Sequence, residues 1–147
     1  TIEAIGVFVD FGEFEAICQL YDETSTSDYS SLWGNKPTRG SPSSRATGWS
    51  GFIPGFDLTR HQISIGNVQI ENGVAHARAD VVADHWLRGE HWRISGIYDV
   101  TLVRRNRNWL ISDWVFTLDY ESGDRKLVDE AEEIAAEIVD RPIQCES

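Results

Sequence analysis

The sequence predicts an α+β domain in which helices pack against the concave side of one curved, mostly antiparallel sheet. Three observations favour this fold class. Apolar residues recur every three or four positions near the N-terminus, strand-like segments fill residues 59–120, and an amphipathic segment follows at about 124–140. Helices that flank an uninterrupted run of strands are typical of α+β architecture. The 147 residues suffice for one domain with one core.

Two short helices are predicted before residue 22, with Gly12 between them. The first helix places Ile5 and Val9 on one face, and the second places Phe14 and Ile17 at the same helical spacing. Because glycine disfavours the interior of a helix, Gly12 marks the point where one helix ends and the next begins.

The segment between these helices and the strands is predicted to be irregular. Residues 22–31 are polar and small, residues 29–33 favour a short strand, and the Gly, Pro and Ser content of residues 34–44 predicts a surface loop that acts as a rim or lid. Between residues 49 and 56, aromatic residues recur at helical spacing, but Gly and Pro interrupt them, which indicates a short, irregular helix. Its aromatic side chains either complete the core or line a ligand cavity.

Four long strands are predicted after residue 58. Asn72-Gly73 is a strong hairpin signal, and polar residues at 88–90 and 106–108 connect the later strands. Strands joined by such short turns form an antiparallel meander. The predicted strands cover residues 59–70, 74–87, 91–105 and 108–120.

The C-terminal segment at about 124–140 predicts an amphipathic helix, with Asp124 or Ser122 available as its N-cap. Its acidic face is expected in water. Its apolar face either closes the open end of the sheet or meets another subunit. The apolar face carries Leu127, Ala131, Ile134, Ala135 and Ile138.

The charge of the chain argues against a nucleic-acid partner. Thirteen Lys and Arg against 24 Asp and Glu give a net charge of −11, which repels a phosphate backbone. No run of roughly twenty apolar residues is present to span a bilayer, and residues 1–4 lack the order of a signal peptide. We therefore expect a cytoplasmic or otherwise soluble protein without a membrane partner, with a removed leader left open.

Neither the cysteines nor the histidines predict a metal site. Cys18 lies in a helical pattern and Cys145 in a polar tail. Both are expected as reduced thiols, because a disulfide would require the C-terminus to fold back over the first helices. Two cysteines without a Cys-x-x-Cys pair do not support a zinc site. His76, His85 and His91 also lack the spacing of metal ligands on a helix.

Asp10 and His61 are the strongest candidates for chemistry. Asp10 lies where the first helix ends, and His61 opens the first long strand. A carboxylate that orients an imidazole is the minimal arrangement for abstracting a proton. Taken singly, each residue is also consistent with a polar side chain in water. Hydrogen-bond donors for a departing group or a developing oxyanion are Tyr29, Trp33, Tyr98 and Arg105.

Several short motifs follow one another in a specific order. A first helix is followed by Gly-Glu-Phe-Glu-Ala-Ile at 12–17, an aromatic segment, Thr-Arg-His at 59–61, Tyr-Asp-Val-Thr-Leu-Val-Arg at 98–104 and Trp-Leu-Ile at 109–111. In this order and spacing, the chain resembles the nuclear transport factor 2-like superfamily, specifically its SnoaL-like branch, over residues 2 to about 118. The resemblance implies a cone-shaped α+β barrel around a pocket, in a single domain of residues 1–147 with its core at 2–120.

The resemblance also implies which residues act. Asp10 and His61 fall where the hexachlorocyclohexane dehydrochlorinase, scytalone dehydratase and bile acid dehydratase groups carry a catalytic Asp and His. Arg105 lies near the position of an Arg that assists the leaving group in the dehydrochlorinases. Asp84 or His85 lies near a second acid or His of the dehydratases. These relatives eliminate HX or water without metal or organic cofactor, so no cofactor is expected.

Strand alternation leaves the choice between Asp84 and His85 open. Along residues 74–86, the odd positions are mostly Ala and the even positions mostly polar. If the small-residue face receives the helices, His85 points into the cavity and Asp84 away from it, whereas a bulge in the strand would reverse this. Ile5 departs from the pattern of these enzymes, which carry a substrate-contacting Tyr or Lys at that position. The identity of the leaving group is therefore left open.

The expected function is that of a cofactor-independent lyase, a dehydratase or dehydrohalogenase, acting on a small, largely apolar molecule. The alternatives are a polyketide cyclase or steroid-type isomerase of the same fold, and a noncatalytic ligand-binding or assembly module. Because the superfamily commonly packs the outer face of its sheet against a partner, a homodimer or higher homo-oligomer is expected. The expected substrate contacts are Ile5, Tyr29, Trp33, Trp49, Phe52, Phe56 and Tyr98.

Overall fold

A computed structural model describes residues 1–139 and 141–145 of the chain. Within these residues, six strands form one curved sheet that carries the helices on its concave face. The strands are β1 (Tyr21–Asp28), β2 (Thr38–Gly40), β3 (Leu58–Glu71), β4 (Val74–Leu87), β5 (Glu90–Arg105) and β6 (Asn108–Gly123). The helices are α1 (Ile2–Asp10), α2 (Phe14–Ile17), α3 (Ser30–Trp33), α4 (Pro42–Ser50) and α5 (Leu127–Ile138), and 3₁₀ turns occupy Cys18–Leu20 and Ile53–Gly55.

The predicted meander is confirmed. Strands β3, β4, β5 and β6 pair antiparallel in sequence order, and each begins and ends within a few residues of its predicted bounds. The first two turns use left-handed backbone at Asn72 and Gly73 and at Arg88 and Gly89, with φ values between 51° and 79°. Paired positive φ values are the geometry of tight two-residue hairpins. Register shifts between β5 and β6 bend the sheet further.

The predictions for residues 22–33 are wrong. The polar segment that begins at residue 22 belongs to strand β1, which pairs parallel with β6 and antiparallel with β2. Because few of its side chains are buried, β1 lacks the apolar alternation that marks a strand, and backbone pairing holds it instead. The predicted strand at 29–33 is helix α3, which begins where the Asp28 carboxylate accepts a hydrogen bond from the backbone N–H of Ser30 at 2.9 Å.

The predicted loop at 34–44 contains strand β2 and the start of helix α4. Ser41 caps this helix, because its hydroxyl accepts a hydrogen bond from the backbone N–H of Ser44 at 3.2 Å. Pro42 suits the first helical position, where no N–H is needed. The irregular helix predicted at 49–56 is the end of α4 followed by a 3₁₀ turn.

Helix α1 packs closely on β3 because Gly6 has no side chain. The helix buries Ile2, Ile5 and Val9, and a β-carbon added at Gly6 would lie only 3.2 Å from the β-carbon of His61. The neighbouring strand β4 presents mostly alanines on the concave side, which leaves room for the helix. This close contact brings the last turn of α1 beside the first residues of β3.

The predicted C-terminal helix is confirmed as α5, although residue 140, its last predicted position, lies outside the described residues. Its apolar face packs inside the same chain: Ala131 is fully buried against the 3₁₀ turn that contains Gly55. A β-carbon at Gly55 would lie 1.9 Å from the carbonyl oxygen of Ala131, so only glycine fits there. The helix therefore closes one end of the barrel. No helix among the described residues is long and apolar enough to cross a membrane.

Cys18 and Cys145 form a disulfide, so the prediction of two reduced thiols is wrong. The C-terminal residues fold back along α4, which the sequence pattern did not indicate. The backbone N–H of Ile143 donates to the hydroxyl of Thr47 at 3.0 Å, and the backbone N–H of Cys145 donates to the hydroxyl of Ser43 at 3.1 Å. These contacts hold the cysteine Cα atoms 5.7 Å apart, within reach of a disulfide.

Candidate active site

Three hydrogen bonds to one carboxylate join the end of α1 to the start of β3. The Oδ1 atom of Asp10 lies 2.7 Å from Nδ1 of His61 and accepts a bond from the Thr59 hydroxyl at 2.9 Å. Its Oδ2 atom accepts the backbone N–H of His61 at 2.7 Å. Because an ionised carboxylate only accepts hydrogen bonds, Nδ1 of His61 carries the proton in this arrangement.

The environment of Asp10 keeps it ionised. Burial alone would raise the pKa of this carboxyl group. The hydrogen bonds and charge of His61, together with the hydroxyl of Thr59, outweigh burial and hold the pKa of Asp10 below its ordinary value. Asp10 is therefore a carboxylate at neutral pH, able to stabilise a positive charge on His61.

The second ring nitrogen of His61 faces a cavity. The side chain is only 3% exposed, yet it forms part of the cavity wall. No described side chain bonds to Nε2, and no buried side-chain nitrogen or oxygen among the described residues lacks a partner. Thus Nε2, with its lone pair, is open to the cavity rather than enclosed in protein.

The cavity has a volume of about 200 Å³. An apolar cavity of about 150 Å³ is known to hold benzene, so this one suits a single ring or a compact two-ring molecule. Five residues that the sequence predicted as substrate contacts line this cavity: Tyr29, Trp33, Trp49, Phe52 and Tyr98. The full set of lining aromatic residues is Tyr21, Tyr29, Trp33, Trp49, Phe52, Trp92, Tyr98, Trp114 and Phe116.

A second histidine lies in the same wall. His85 points into the cavity from β4, with its ring centroid 5.8 Å from that of His61. Its Nδ1 lies 3.2 Å from the carbonyl oxygen of Trp92, which can only accept, so Nδ1 carries the hydrogen and Nε2 does not. Burial, and then the charge of His61, lower the pKa of His85 to about 3. His85 is therefore a neutral hydrogen-bond acceptor at ordinary pH.

Asp84 lies on the opposite face of β4 and does not line the cavity. It is 2% exposed and pairs with His91 Nε2 and Arg93 Nε, each at 2.6 Å. Burial would raise its pKa, but the bonds from Arg93 and His91 outweigh this and lower it. The strand keeps regular register there, so alternation sends His85 inward and Asp84 outward.

Three other residues expected at the site lie outside the cavity wall. Arg105 is exposed at the end of β5 and pairs with Asp22 at 3.0 Å, because the last ladder position of the hairpin carries it past the cavity. Ile5, a residue of α1, is buried in the core and does not line the cavity. Phe56 lies behind His85, with 4.9 Å between the ring centroids.

Tyrosine hydroxyls supply hydrogen-bond donors to the cavity. The indole N–H of Trp114 donates to the Tyr29 hydroxyl at 3.0 Å, and the hydroxyls of Tyr29 and Tyr98 lie within reach of each other. Burial, as the main cause, raises the pKa of both tyrosines, and raises that of Tyr21 to about 12. All three phenols are therefore protonated at neutral pH.

Sequence reasoning missed part of the wall. Trp92, Trp114 and Phe116 lie on the inner face of β5 and β6, where the alternation of buried positions could have found them. Arg45, which also lines the cavity, carries no such signal, because the segment before it was taken for a loop. Among the described residues, no group of three His, Cys, Asp or Glu side chains is arranged to hold a metal ion.

A curved sheet that closes with its helices over one cavity is the nuclear transport factor 2-like fold. The SnoaL-like domain profile matches residues 1–115, and the chain belongs to this SnoaL-like family. No curated protein sequence matches the chain.

Solved structures share the fold at low sequence identity. Kfla4162 from Kribbella flavida is 24% identical, with 91% of this chain and 90% of that chain covered and a TM-score of 0.76. A Novosphingobium aromaticivorans protein provisionally assigned as a scytalone dehydratase is 19% identical, with 84% and 83% covered and a TM-score of 0.70. Hexachlorocyclohexane dehydrochlorinase LinA-type3 from Novosphingobium barchaimii is 15% identical, with 82% of each chain covered and a TM-score of 0.65. At these identities the similarity shows the fold alone.

Proposed function

We propose that the protein is a cofactor-independent lyase that eliminates water or HX from a small molecule with a largely apolar body. One observation carries the proposal: His61 Nδ1 lies 2.7 Å from the Asp10 carboxylate while Nε2 opens into an aromatic cavity. This arrangement fixes the tautomer, aims the basic nitrogen at a bound ligand and stabilises the imidazolium that proton abstraction creates.

In the proposed reaction, Nε2 of His61 takes a proton from a carbon atom of the substrate. The electron pair of the C–H bond forms the double bond as the neighbouring C–O or C–halogen bond breaks. For a hydroxyl leaving group, the imidazolium returns the proton to the departing oxygen, so that water leaves. General base catalysis of this kind contributes roughly 10²–10⁴-fold in rate.

His85 does not serve as the acid in this scheme. Its Nδ1–H is directed to a backbone carbonyl, and its pKa of about 3 leaves Nε2 unprotonated. The phenols of Tyr29 and Tyr98 are the protonated groups available to support the departing group or a developing oxyanion. A dehydratase and a dehydrochlorinase are named among the similar structures, but at their low sequence identity the geometry of the site is the main support for an elimination.

The paired phenols favour a second candidate, a cyclase or isomerase that abstracts a proton next to a carbonyl group. Tyr29 and Tyr98 lie together as protonated phenols, and because Tyr29 donates to Tyr98, the O–H of Tyr98 is left to stabilise an enolate oxygen. An elimination yields a product lighter by water or HX, whereas an isomerisation leaves the mass unchanged. Mass spectrometry of a turned-over substrate separates the two.

A panel of compact ring compounds tests the proposed function. The panel contains β-hydroxy ketones and ring halides, and loss of water or HX is followed by mass spectrometry. We expect His61→Ala to abolish turnover with folding intact, because the base that Asp10 orients is removed and His85, whose pKa is lowered to about 3, is too weak a base to replace it. His76→Ala is the matched control, since His76 is exposed on the other face of the sheet. Full activity in His61→Ala would contradict the base assignment.

A noncatalytic binding module would need the cavity but not the carboxylate. The core position of Ile5, which offers no polar contact, is compatible with that alternative. Under it, Asp10→Asn would leave ligand affinity unchanged and no member of the panel would turn over.

The disulfide between Cys18 and Cys145 bears on where the protein works. Disulfides persist mainly in oxidising compartments, because cytosolic thiol systems keep cysteines reduced. The bond therefore favours an oxidising compartment over the cytoplasm that the sequence suggested.

A further inference from the structure

The longest acid-free stretch of the chain lies next to the cavity. Residues 29–56 contain no Asp or Glu but contain Lys36, Arg39 and Arg45, in a protein whose net charge is −11. Asp28 and Asp57 mark its two ends. An acidic protein that excludes carboxylates from one segment keeps a local positive potential there.

The same segment forms the entrance to the cavity. Most of the wall is buried or half-buried, so its exposed residues mark the opening. Each of them falls within residues 33–48: they are Trp33, Asn35, Thr38, Ser44 and Gly48. A ligand that reaches His61 therefore passes the acid-free segment.

Arg45 lines the cavity, and no carboxylate of the described residues bonds to it. Its Nε donates to the Ser25 hydroxyl at 3.1 Å, and its Nη1 donates to the Thr38 hydroxyl at 2.9 Å. Its Nη2 donates to the carbonyl oxygens of Ser25 and Thr38 at 3.1 and 2.9 Å. All four acceptors are neutral, so the full positive charge of the guanidinium remains. Burial lowers the pKa of Arg45, as expected for a cation partly removed from water.

Other arginines of the described chain do have acidic partners. Ion pairs join Arg78 to Asp99, Arg88 to Glu130, Arg93 to Asp84, Arg105 to Asp22 and Arg125 to Glu121. Arg39, Arg60, Arg104 and Arg107 also form no ion pair among the described residues, but they are exposed to water, whereas Arg45 is half-buried in the cavity wall. A half-buried cation without a counter-ion is costly unless a ligand supplies the negative charge.

Two hydrogen-bond donors remain available at this point of the wall. A guanidinium has five N–H groups, and the four bonds of Arg45 leave one Nη1–H unused. The Thr38 hydroxyl accepts from Nη1, so its own hydrogen can be donated elsewhere. A carboxylate has two oxygen atoms that accept from two adjacent donors, and charge-assisted bonds of this kind are the strong ones.

We propose that the cavity binds a compact ring compound bearing a carboxylate, which docks on Arg45 and Thr38 at the entrance while the apolar ring enters the aromatic chamber toward His61. This names the substrate class of the proposed lyase and rests on that function only for the chemistry that follows binding. The substrate of the proposed lyase is then an anion whose ring supplies the largely apolar body.

Two probes of matched shape test the charge preference. Cinnamate carries a carboxylate and cinnamamide a neutral amide on the same ring and spacer, and titration calorimetry at pH 7.5 in low salt gives the affinity of each. We expect the wild-type protein to bind cinnamate about tenfold more tightly, an affinity ratio that corresponds to one favourable charged contact. Sodium chloride should reduce this preference.

Variants assign the preference to the entrance. Arg45→Gln should remove it and Arg45→Lys should retain most of it, because lysine keeps the charge. Thr38→Val should weaken cinnamate binding without changing any charge. Arg104→Gln is the matched control, since Arg104 is an exposed arginine at the far end of β5 and does not line the cavity.

Three results would overturn the proposal: equal affinities in the wild-type protein, an equal loss in Arg104→Gln, or an unchanged preference in Arg45→Gln. If Arg45→Gln fails to fold because its bonds to β1 and β2 are lost, the wild-type pair and Thr38→Val still decide. His61→Ala should keep the preference for cinnamate, because binding precedes chemistry. The experiments therefore distinguish a failure of the proposed anion site from a failure of the proposed lyase function.

Discussion

At the scale of single residues, two histidines in one cavity receive different properties from their partners. His61 and His85 have ring centroids 5.8 Å apart and each places Nδ1 on an oxygen atom. The partner of His61 is a carboxylate, which stabilises the imidazolium, whereas the partner of His85 is a carbonyl in a buried site. Environments that separate the properties of two like groups are typical of acid–base sites.

His85 makes the stability of the protein depend on pH. Burial lowers its pKa in the folded state to about 3 from the ordinary histidine value of 6.5, so between these pH values the unfolded chain binds a proton that the folded protein does not. The free energy of unfolding should therefore fall as the pH decreases from about 6.5 toward 3, with a slope approaching 1.4 kcal/mol per pH unit from this residue.

Urea unfolding at a series of pH values between 4.5 and 7.5 measures this slope. His85→Gln should reduce this slope by up to about 1.4 kcal/mol per pH unit, the contribution of one proton, whatever the change in absolute stability. His76→Gln, at an exposed position, serves as control. An unchanged slope in His85→Gln would show that His85 is not held neutral by burial.

At the scale of elements, local signals decided what could be predicted. The meander was found because Asn-Gly at 72–73 and polar residues at the later turns mark hairpins that form locally. Strand β1 was missed because its polar residues are ordered by pairing with β6, which lies far along the chain. Helix α3 and β2 were missed for a similar reason, since capping by Asp28 and pairing with β1 leave no apolar period to detect.

The disulfide ties Cys145 to Cys18, and the C-terminal residues that it holds hydrogen-bond to α4, the helix that carries Arg45 and Trp49 into the cavity wall. Cys145→Ser should lower the free energy of unfolding by about 2–5 kcal/mol, because the bond closes a long loop in the unfolded chain. Amide hydrogens of residues 42–50 should exchange faster.

Thermal unfolding and hydrogen exchange of the wild-type protein, Cys145→Ser and Cys18→Ser measure these effects. Either substitution removes the same bond, so the two variants should behave alike, and adding a dithiol reductant to the wild-type protein should reproduce them. Equal stability with and without reductant would contradict the role of the bond as a clamp.

At the scale of the whole molecule, the acid-free segment at residues 29–56 lies at the entrance of the cavity in a protein that is otherwise acidic. The sequence predicted Asp10 and His61 because motif order alone places them, and it predicted five aromatic residues of the wall. It did not predict the entrance, because Arg45 reaches the cavity only through its bonds to Ser25 and Thr38, on strands that meet in the folded sheet.

The homo-oligomer expected from the sequence stays a prediction, and an apolar stripe offers a contact surface for it on the concave side of the sheet rather than on the expected outer face. On the edge strand β3, Ile65, Val68 and Ile70 are 39%, 48% and 64% exposed. A second copy of the chain that covers this stripe would remove it from water. Sedimentation at tens of micromolar should show a dimer, and Ile70→Lys should weaken it more than Gln69→Lys, the matched change on the other face of β3. A monomer in the wild-type protein would contradict the prediction.

The pairing of Asp10 with His61 is tested most directly by the tautomer of His61. Nitrogen-15 NMR of the imidazole rings at pH 7.5, assigned with His61→Asn, distinguishes a protonated from an unprotonated ring nitrogen. The structure predicts that His61 carries its hydrogen on Nδ1 and leaves Nε2 free, and that Asp10→Asn abolishes this preference. Protonation of Nε2 in the wild-type protein, or a tautomer that Asp10→Asn does not change, would contradict the proposed catalytic base.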